Sequence, residues 1–162
     1  MIDLQTPLSS ELIQSLQVGD MVRLSGWIYC GRDAVLPKLV SGEISAELEG
    51  AVIFHTAVSP AGVGPTSSNK LEIESSIKPL SAMGVRLHLG KGALRPETVL
   101  ALNRYGSVYA VIPPVTALLG EKTLEQELVA CPELGMEALY RLRVDGYPAI
   151  IAAAHGRSIY DT

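Results

Sequence analysis

Charge and aromatic side chains are scarce in this chain. Charged residues make up 19% of its 162 residues and aromatics 5%, with one Trp and one Phe. A chain so poor in charge and 48% hydrophobic has apolar surface enough to fold, which excludes intrinsic disorder. Its core falls to Leu, Val, Ile and Ala. Basic residues are outnumbered, 13 Lys and Arg against 17 Asp and Glu, for a formal net charge of −4. That balance argues against a non-specific nucleic-acid binder and against a protein lying on an anionic membrane, since both need a basic face. Long apolar runs are missing as well. None approaches the roughly 18 residues of a spanning helix, and Met1-Ile2-Asp3-Leu4 has neither a charged n-region nor an apolar h-region. The expectation is a soluble, cytoplasmic protein without membrane contact. Cysteine is limited to Cys30 and Cys131, with no CxxC spacing and no histidine cluster nearby. Both are read as plain buried thiols that complete no metal site.

What is present is enough for one ordinary domain over residues 1–162 with a sizeable core. The mean hydropathy of +0.27 is high for a lone soluble domain of this size, and an apolar face covered by a partner would account for it. Leu8 to Leu16 reads as a short amphipathic helix capped by Ser9 or Ser10. Met21 to Cys30 alternates as a half-buried strand, and Gly50 to Thr56 carries the continuous apolar run of an interior one. Ser67 to Met83 reads as partly helical, weakened by Pro79 and stopped by Gly84. Val85 to Leu89 alternates with Arg86 and His88 outward. Pro96 opens a helix through Leu102, and Ser107 to Ile112 forms a strand ended by Pro113-Pro114. Glu137 to Val144 and Pro148 to Ala153 read as two strands joined at Asp145-Gly146-Tyr147. With no internal repeat and no low-complexity linker, the pattern predicts an α/β fold with a mixed sheet.

Three glycine-bearing runs concentrate the chemistry. In Gly64-Pro65-Thr66-Ser67-Ser68-Asn69-Lys70, three hydroxyls follow a Gly-Pro turn and open a helix, whose free N–H groups favour an anion. Lys70, one helical turn from Thr66, faces the same ligand in that reading. A simple N-cap with polar decoration is the plainer alternative. Leu89-Gly90-Lys91-Gly92 fails as a phosphate-binding P-loop. Five residues rather than four separate Gly84 from Gly90, and Gly92 stands where Ser or Thr should be. What remains is Lys91 at a strand end between glycines, a usual place for a site in α/β proteins, or else a solvated turn lysine. Gly31-Arg32-Asp33 follows a strand and offers a forked grip on a carboxylate, with Asp33 orienting Arg32 or merely pairing with it. Together the three runs describe a pocket for carboxylates. His55, His88 and His155 share no metal-ligand spacing and are read as edge or surface residues.

Read in order, these segments resemble the beta subunit, or C-terminal domain, of the iron–sulfur hydro-lyases, the family of class I fumarase and L(+)-tartrate dehydratase. The resemblance runs from Leu4-Gln5-Thr6-Pro7-Leu8 through Val18-Gly19-Asp20, Leu24-Ser25-Gly26 and Gly31-Arg32-Asp33-Ala34. It continues through Gly64-Pro65-Thr66-Ser67-Ser68 and Gly90-Lys91-Gly92 and closes with Glu133-Leu134-Gly135-Met136-Glu137-Ala138 and Gly146-Tyr147-Pro148-Ala149. It implies a swivelling β/β/α domain packed against a larger alpha subunit that holds a 4Fe–4S cluster on its own cysteines, so that this chain binds no cofactor itself. One iron would act as a Lewis acid on a dicarboxylate substrate, fumarate and malate first, tartrate next. Homodimer and heterotetramer are the assemblies open to it.

By the same resemblance Arg32 and Lys91 are cations for substrate carboxylates and Thr66 the base or proton relay, with Ser67, Lys70 and Asp33 lining the substrate. A free threonine is a feeble base, so two cations and a cluster would have to favour its alkoxide. Two positions depart from the family pattern. Its histidine after Arg-Asp-Ala-Ala is Leu36 here, and its arginine four residues after the first hydroxyl is Lys70, which keeps the charge but loses the fork. Those departures favour a rival reading, a non-catalytic paralogue that binds anions or acts as a scaffold. A metal-free, self-sufficient enzyme is the weakest of the three, because no general base of suitable pKa is visible.

Overall fold

The period-two alternation along four short strands fixes which side chains face inward and which meet helices. The computed structural model describes residues 1–59, 62–66, 70–112, 119 and 121–161, and the side chains of these outside 59–73. In chain order it contains β1 (Ile2–Gln5), α1 (Ser10–Ser15), β2 (Met21–Cys30), α2 (Leu36–Ser41), β3 (Val52–Phe54), β4 (Thr56–Ser59) and β5 (Gly62–Thr66). Then follow α3 (Lys70–Ala82), β6 (Leu87–Gly90), α4 (Pro96–Arg104), β7 (Val108–Val111), β8 (Thr123–Ala130), a 3-10 segment (Pro132–Glu137), β9 (Leu139–Ala154) and β10 (Arg157–Ser158).

One sheet of 8 strands runs β1-β2-β3-β6-β7-β9-β10, with β8 on β9, and β9 also pairs with β2. The hydrogen bonding of β2, β3, β6, β7 and β9 therefore returns on itself as a ring. β1, β2, β3, β6 and β7 are mutually parallel, while β9 is antiparallel to β2, β7, β8 and β10. This is the α/β class with a mixed sheet that the sequence predicts. Val52, Phe54, Leu87, Leu89, Val108 and Ala110 point into the ring and meet Leu24, Ile28 and Leu142. The residues between them face the helices: Ile53 packs with Leu36, Leu39 and Leu80, and Tyr109 with Ile77, Val99 and Leu102. Among the described residues no helix is long and apolar enough to cross a membrane.

Local signals hold where they are strong. Ser9 caps α1, its hydroxyl accepting from Leu12 N–H at 3.2 Å. Gly84, at φ +112, ends α3 in a Schellman-like turn in which Val85 N–H reaches back to the Leu80 carbonyl at 3.2 Å. The first turn of α4 is held from outside: Glu74 of α3 accepts from Arg95 N–H at 2.8 Å and from the Thr98 hydroxyl at 2.5 Å.

Three expectations are corrected. The two strands expected over Glu137 to Val144 and Pro148 to Ala153 are one from Leu139 onward, the 16-residue β9, with Glu137 left in the 3-10 segment before it. Both halves pair with β2, and between Leu24↔Tyr147 and Gly26↔Val144 the register shifts by a bulge. Gly146 at φ +75 and Gly26 at φ +105 bend the ladder there without reversing the chain. Gly64-Pro65 is not a turn opening a helix. It lies within β5, in the irregular part of the β4–β5 ribbon between Thr56↔Thr66 and Val58↔Val63, where a strand tolerates proline. His55 and His88 are not edge or surface residues but 1% and 0% exposed. The outer face of β6 is covered by α3, so pointing away from the ring is not pointing into water.

Candidate active site

Because β2, β3, β6 and β7 run parallel, their carboxyl ends share one rim, the usual place for a ligand in such sheets. Gly31 N–H donates to the Phe54 carbonyl at 3.1 Å, His55 N–H to the Leu89 carbonyl at 3.0 Å, and Ile112 N–H to the Gly90 carbonyl at 3.2 Å. These bonds align the residues that leave the strands: Arg32 and Asp33 after β2, His55 after β3, Lys91 after β6. Two strand spacings put the backbones of Arg32 and Lys91 about 10 Å apart, with β3 between them. Thr66 comes to the same rim by a different route, as the last residue of β5 paired with Thr56, the residue after His55. Lys70 starts α3, so it and Thr66 do not share a helical turn. The side chains of Thr66 and Lys70, and Ser67 altogether, lie outside the described residues.

Arg32 is set by tight local packing. Its carbonyl accepts from Val35 N–H at 3.2 Å and Leu36 N–H at 2.9 Å as the chain turns into α2. A Cβ on Gly31 would lie 2.8 Å from Val35 Cγ1 and 3.0 Å from Leu36 Cδ2. Gly31→Ala is therefore expected to push this turn and destabilise the fold by about 1–3 kcal/mol, read as a lower urea midpoint. Leu36, where the resembling family has histidine, is buried against Leu39, Ile53 and Leu80 and does not line the rim. Arg32 Nε sits 3.8 Å from Asp33 Oδ1 and 3.9 Å from Glu137 Oε1. All three atoms are buried with no hydrogen-bond partner among the described residues.

Lys91 is exposed on a short loop with a rigid base. Gly92 has φ +81, left-handed backbone that glycine adopts freely, and its carbonyl accepts from Tyr109 Oη at 3.1 Å. Burial raises the pKa of the Tyr109 phenol, so it stays a donor. Cys30 is buried and its thiol pKa is likewise pushed up by desolvation. Among the described residues no group of three His, Cys, Asp or Glu side chains is arranged to hold a metal ion.

The sequence reading missed a buried histidine pair beside the rim. His55 Nε2 lies 3.1 Å from His88 Nδ1, and Ser81 Oγ of α3 lies 2.9 Å from His88 Nε2. Desolvation lowers the pKa of His55 to about 4 and that of His88 well below its ordinary value, with His55 adding to the latter shift. Both rings are neutral near pH 7. The one signal for this was His88 between two leucines of a strand that needed covering on both faces.

Comparison with known proteins matches the whole chain, residues 1–162, to the Fumarase C-terminus family. It is 32% identical to a putative fumarate hydratase class I of Geobacillus stearothermophilus, over 99% of this chain and 34% of that protein. It is 30% identical to L(+)-tartrate dehydratase subunit beta of Escherichia coli K12, over 96% of this chain and 85% of that protein. A putative L(+)-tartrate dehydratase subunit beta of Methanocaldococcus jannaschii is 28% identical, over 95% of this chain and 88% of its own length. The chain thus spans about a third of the Geobacillus protein and most of the other two. With the match running end to end, this chain belongs to the Fumarase C-terminus family.

Proposed function

We propose that this chain is the beta subunit of a heteromeric iron–sulfur hydro-lyase that adds or removes water across a dicarboxylate, fumarate and malate first, tartrate next. The observation that carries the reading is the rim itself. Arg32, Lys91 and the strand ending in Thr66 converge there from three separate stretches of sequence. A dicarboxylate needs two cationic anchors, and Arg32 and Lys91 stand on strands either side of β3. An arginine holds a carboxylate by two parallel bonds, and a lysine acts as a point charge. Lys70 adds positive charge at the start of α3, and Asp33 holds Arg32 in place. Ser67, outside the described residues, is proposed as a further substrate-binding residue on the resemblance alone. Thr66 is the residue assigned to move the proton at the carbon next to a carboxylate, with the cations favouring its ionised form.

The 4Fe–4S cluster belongs to an alpha subunit in this proposal and supplies Lewis-acid chemistry at the substrate hydroxyl. The relatives called subunit beta support a multi-subunit assembly. The rival, a paralogue that binds anions without turnover, rests on Leu36, which is packed into the core and contributes no polar group to the rim, and on Lys70, which keeps a charge but has no fork.

Anaerobic capture of the chain from its native lysate, with iron, labile sulfide and hydration of fumarate assayed on the eluate, tests the proposal. A partner bearing iron and sulfide, with hydratase activity, is the expected result. A cluster-bearing partner with no turnover of fumarate or tartrate would move the substrate elsewhere among the dicarboxylates. No such partner would leave the binding paralogue as the better reading.

A further inference from the structure

Arg32 has one more carboxylate beside it than charge balance calls for. Asp33 is its neighbour in sequence and would suffice as a counter-ion. Glu137 comes from the other end of the chain. Its place follows from register: β2 pairs with β9 through Cys30↔Tyr140, and continuing that antiparallel ladder sets Arg32 against the residues just before β9. The backbone there is pinned. Gly135 has φ 60 and ψ −123, and its carbonyl accepts from Ala138 N–H at 3.1 Å. Leu139, which follows, is fully buried. Glu137 therefore arrives beside the guanidinium on a fixed support.

The geometry is unusual in what it leaves unmade. Arg32 Nε is flanked at 3.8 and 3.9 Å by Asp33 Oδ1 and Glu137 Oε1, beyond hydrogen-bond range. All three atoms are buried, with no hydrogen-bond partner among the described residues. Orphaned polar atoms of this kind are rare in folded proteins and call for an explanation. Two carboxylates around one guanidinium also leave a local excess of negative charge, which works against binding a dianion. An anion site that merely needed attraction would omit the second carboxylate.

We infer that Glu137 is a positioning residue for Arg32, holding the Nε side of the guanidinium between two carboxylates so that its Nη fork is aimed at a substrate carboxylate. This rests on the hydro-lyase reading above for the identity of the ligand, but not for the contact itself. Asp33 and Glu137 both approach the guanidinium at Nε. Either carboxylate closes onto Nε with a shift of about 1 Å, as side chains in ligand-free sites often tighten only when substrate binds. The arrangement trades ground-state attraction for orientation.

That trade has a kinetic signature. In the assembled complex, Glu137→Gln keeps the shape and removes the charge. It is expected to lower kcat about tenfold or more while KM stays level or falls, since one fewer negative charge opposes the dianion. On an Arg32→Lys background the same change should add less than about twofold, because residues acting through one another are not additive. A rise in KM with kcat unchanged, or fully multiplicative effects, overturns the inference. A second readout is independent of turnover. By nitrogen-15 NMR of the full chain, Arg32 Nε–H should exchange slowly with solvent, and about tenfold faster in Glu137→Gln. Equal exchange rates in the two proteins would also overturn it. If the chain captures no cluster-bearing partner, the hydro-lyase reading fails while the NMR comparison still decides the role of Glu137.

Discussion

Lys91→Ala in the assembled complex is expected to lower turnover by two to three orders of magnitude, about the effect of removing one preorganised charge-stabilising group from an active site. The fold should not notice. The Lys91 side chain is exposed, and its loop is shaped by Gly92 at φ +81 and by the Tyr109 Oη bond to the Gly92 carbonyl, neither of which involves the ammonium. Exposed substitutions of this kind stay within about 0.5 kcal/mol. Steady-state hydration of fumarate and dehydration of tartrate, run beside a thermal melt, checks both halves. Full activity in the variant would remove Lys91 from the site. Loss of activity together with a lowered Tm would mean the loop had been broken rather than the chemistry.

The second large effect is on stability and comes from acid. An ordinary histidine titrates near pH 6.5, and in the unfolded chain His55 and His88 do so. In the folded protein burial lowers both, His55 to about 4 and His88 well below its usual range. Above about pH 7 neither state takes up a proton and stability is flat. As the pH falls below 6.5 the unfolded chain gains protons that the folded chain refuses, so stability drops. Each histidine contributes a slope of about 1.4 kcal/mol per pH unit. At pH 5 the two together are expected to cost on the order of 4 kcal/mol, a large share of the 5–15 kcal/mol typical of a domain. Urea midpoints at pH 7.5 and 5.0 measure it. The double variant His55→Gln, His88→Gln should flatten the difference, and an undiminished slope there would place the acid sensitivity elsewhere.

Local rules carried the sequence reading where one residue or one period decided the outcome. Ser9 as a cap, Gly84 as a stop, the continuous apolar run that became β3 and the alternation of β2 are of this kind. The rim was legible as well, because Gly31-Arg32-Asp33 and Gly90-Lys91-Gly92 each follow a recognisable strand. What failed depended on long-range pairing. The bend at Gly146 looks like a turn until β2 is seen to pair on both sides of it. His55 and His88 become partners only when β3 and β6 are adjacent and α3 covers their outer face. Glu137 meets Arg32 through the β2–β9 register alone. Gly64-Pro65 misled for a local reason: the pair usually marks a turn, but here it occupies the irregular stretch of a two-stranded ribbon.

The ring of strands also bears on how the protein is made. β2 is complete by residue 30, yet its partner in β9 lies more than a hundred residues later. During synthesis β2 emerges from the ribosome with that edge open, and so does β7 until residues 150–153 arrive. Contacts this distant in sequence slow folding, because the loop entropy must be spent before they form. An edge left waiting can pair with another chain. Residues 139–154 are thus the closing piece of the fold, and until they emerge the nascent chain carries a sheet that is sticky along two of its edges.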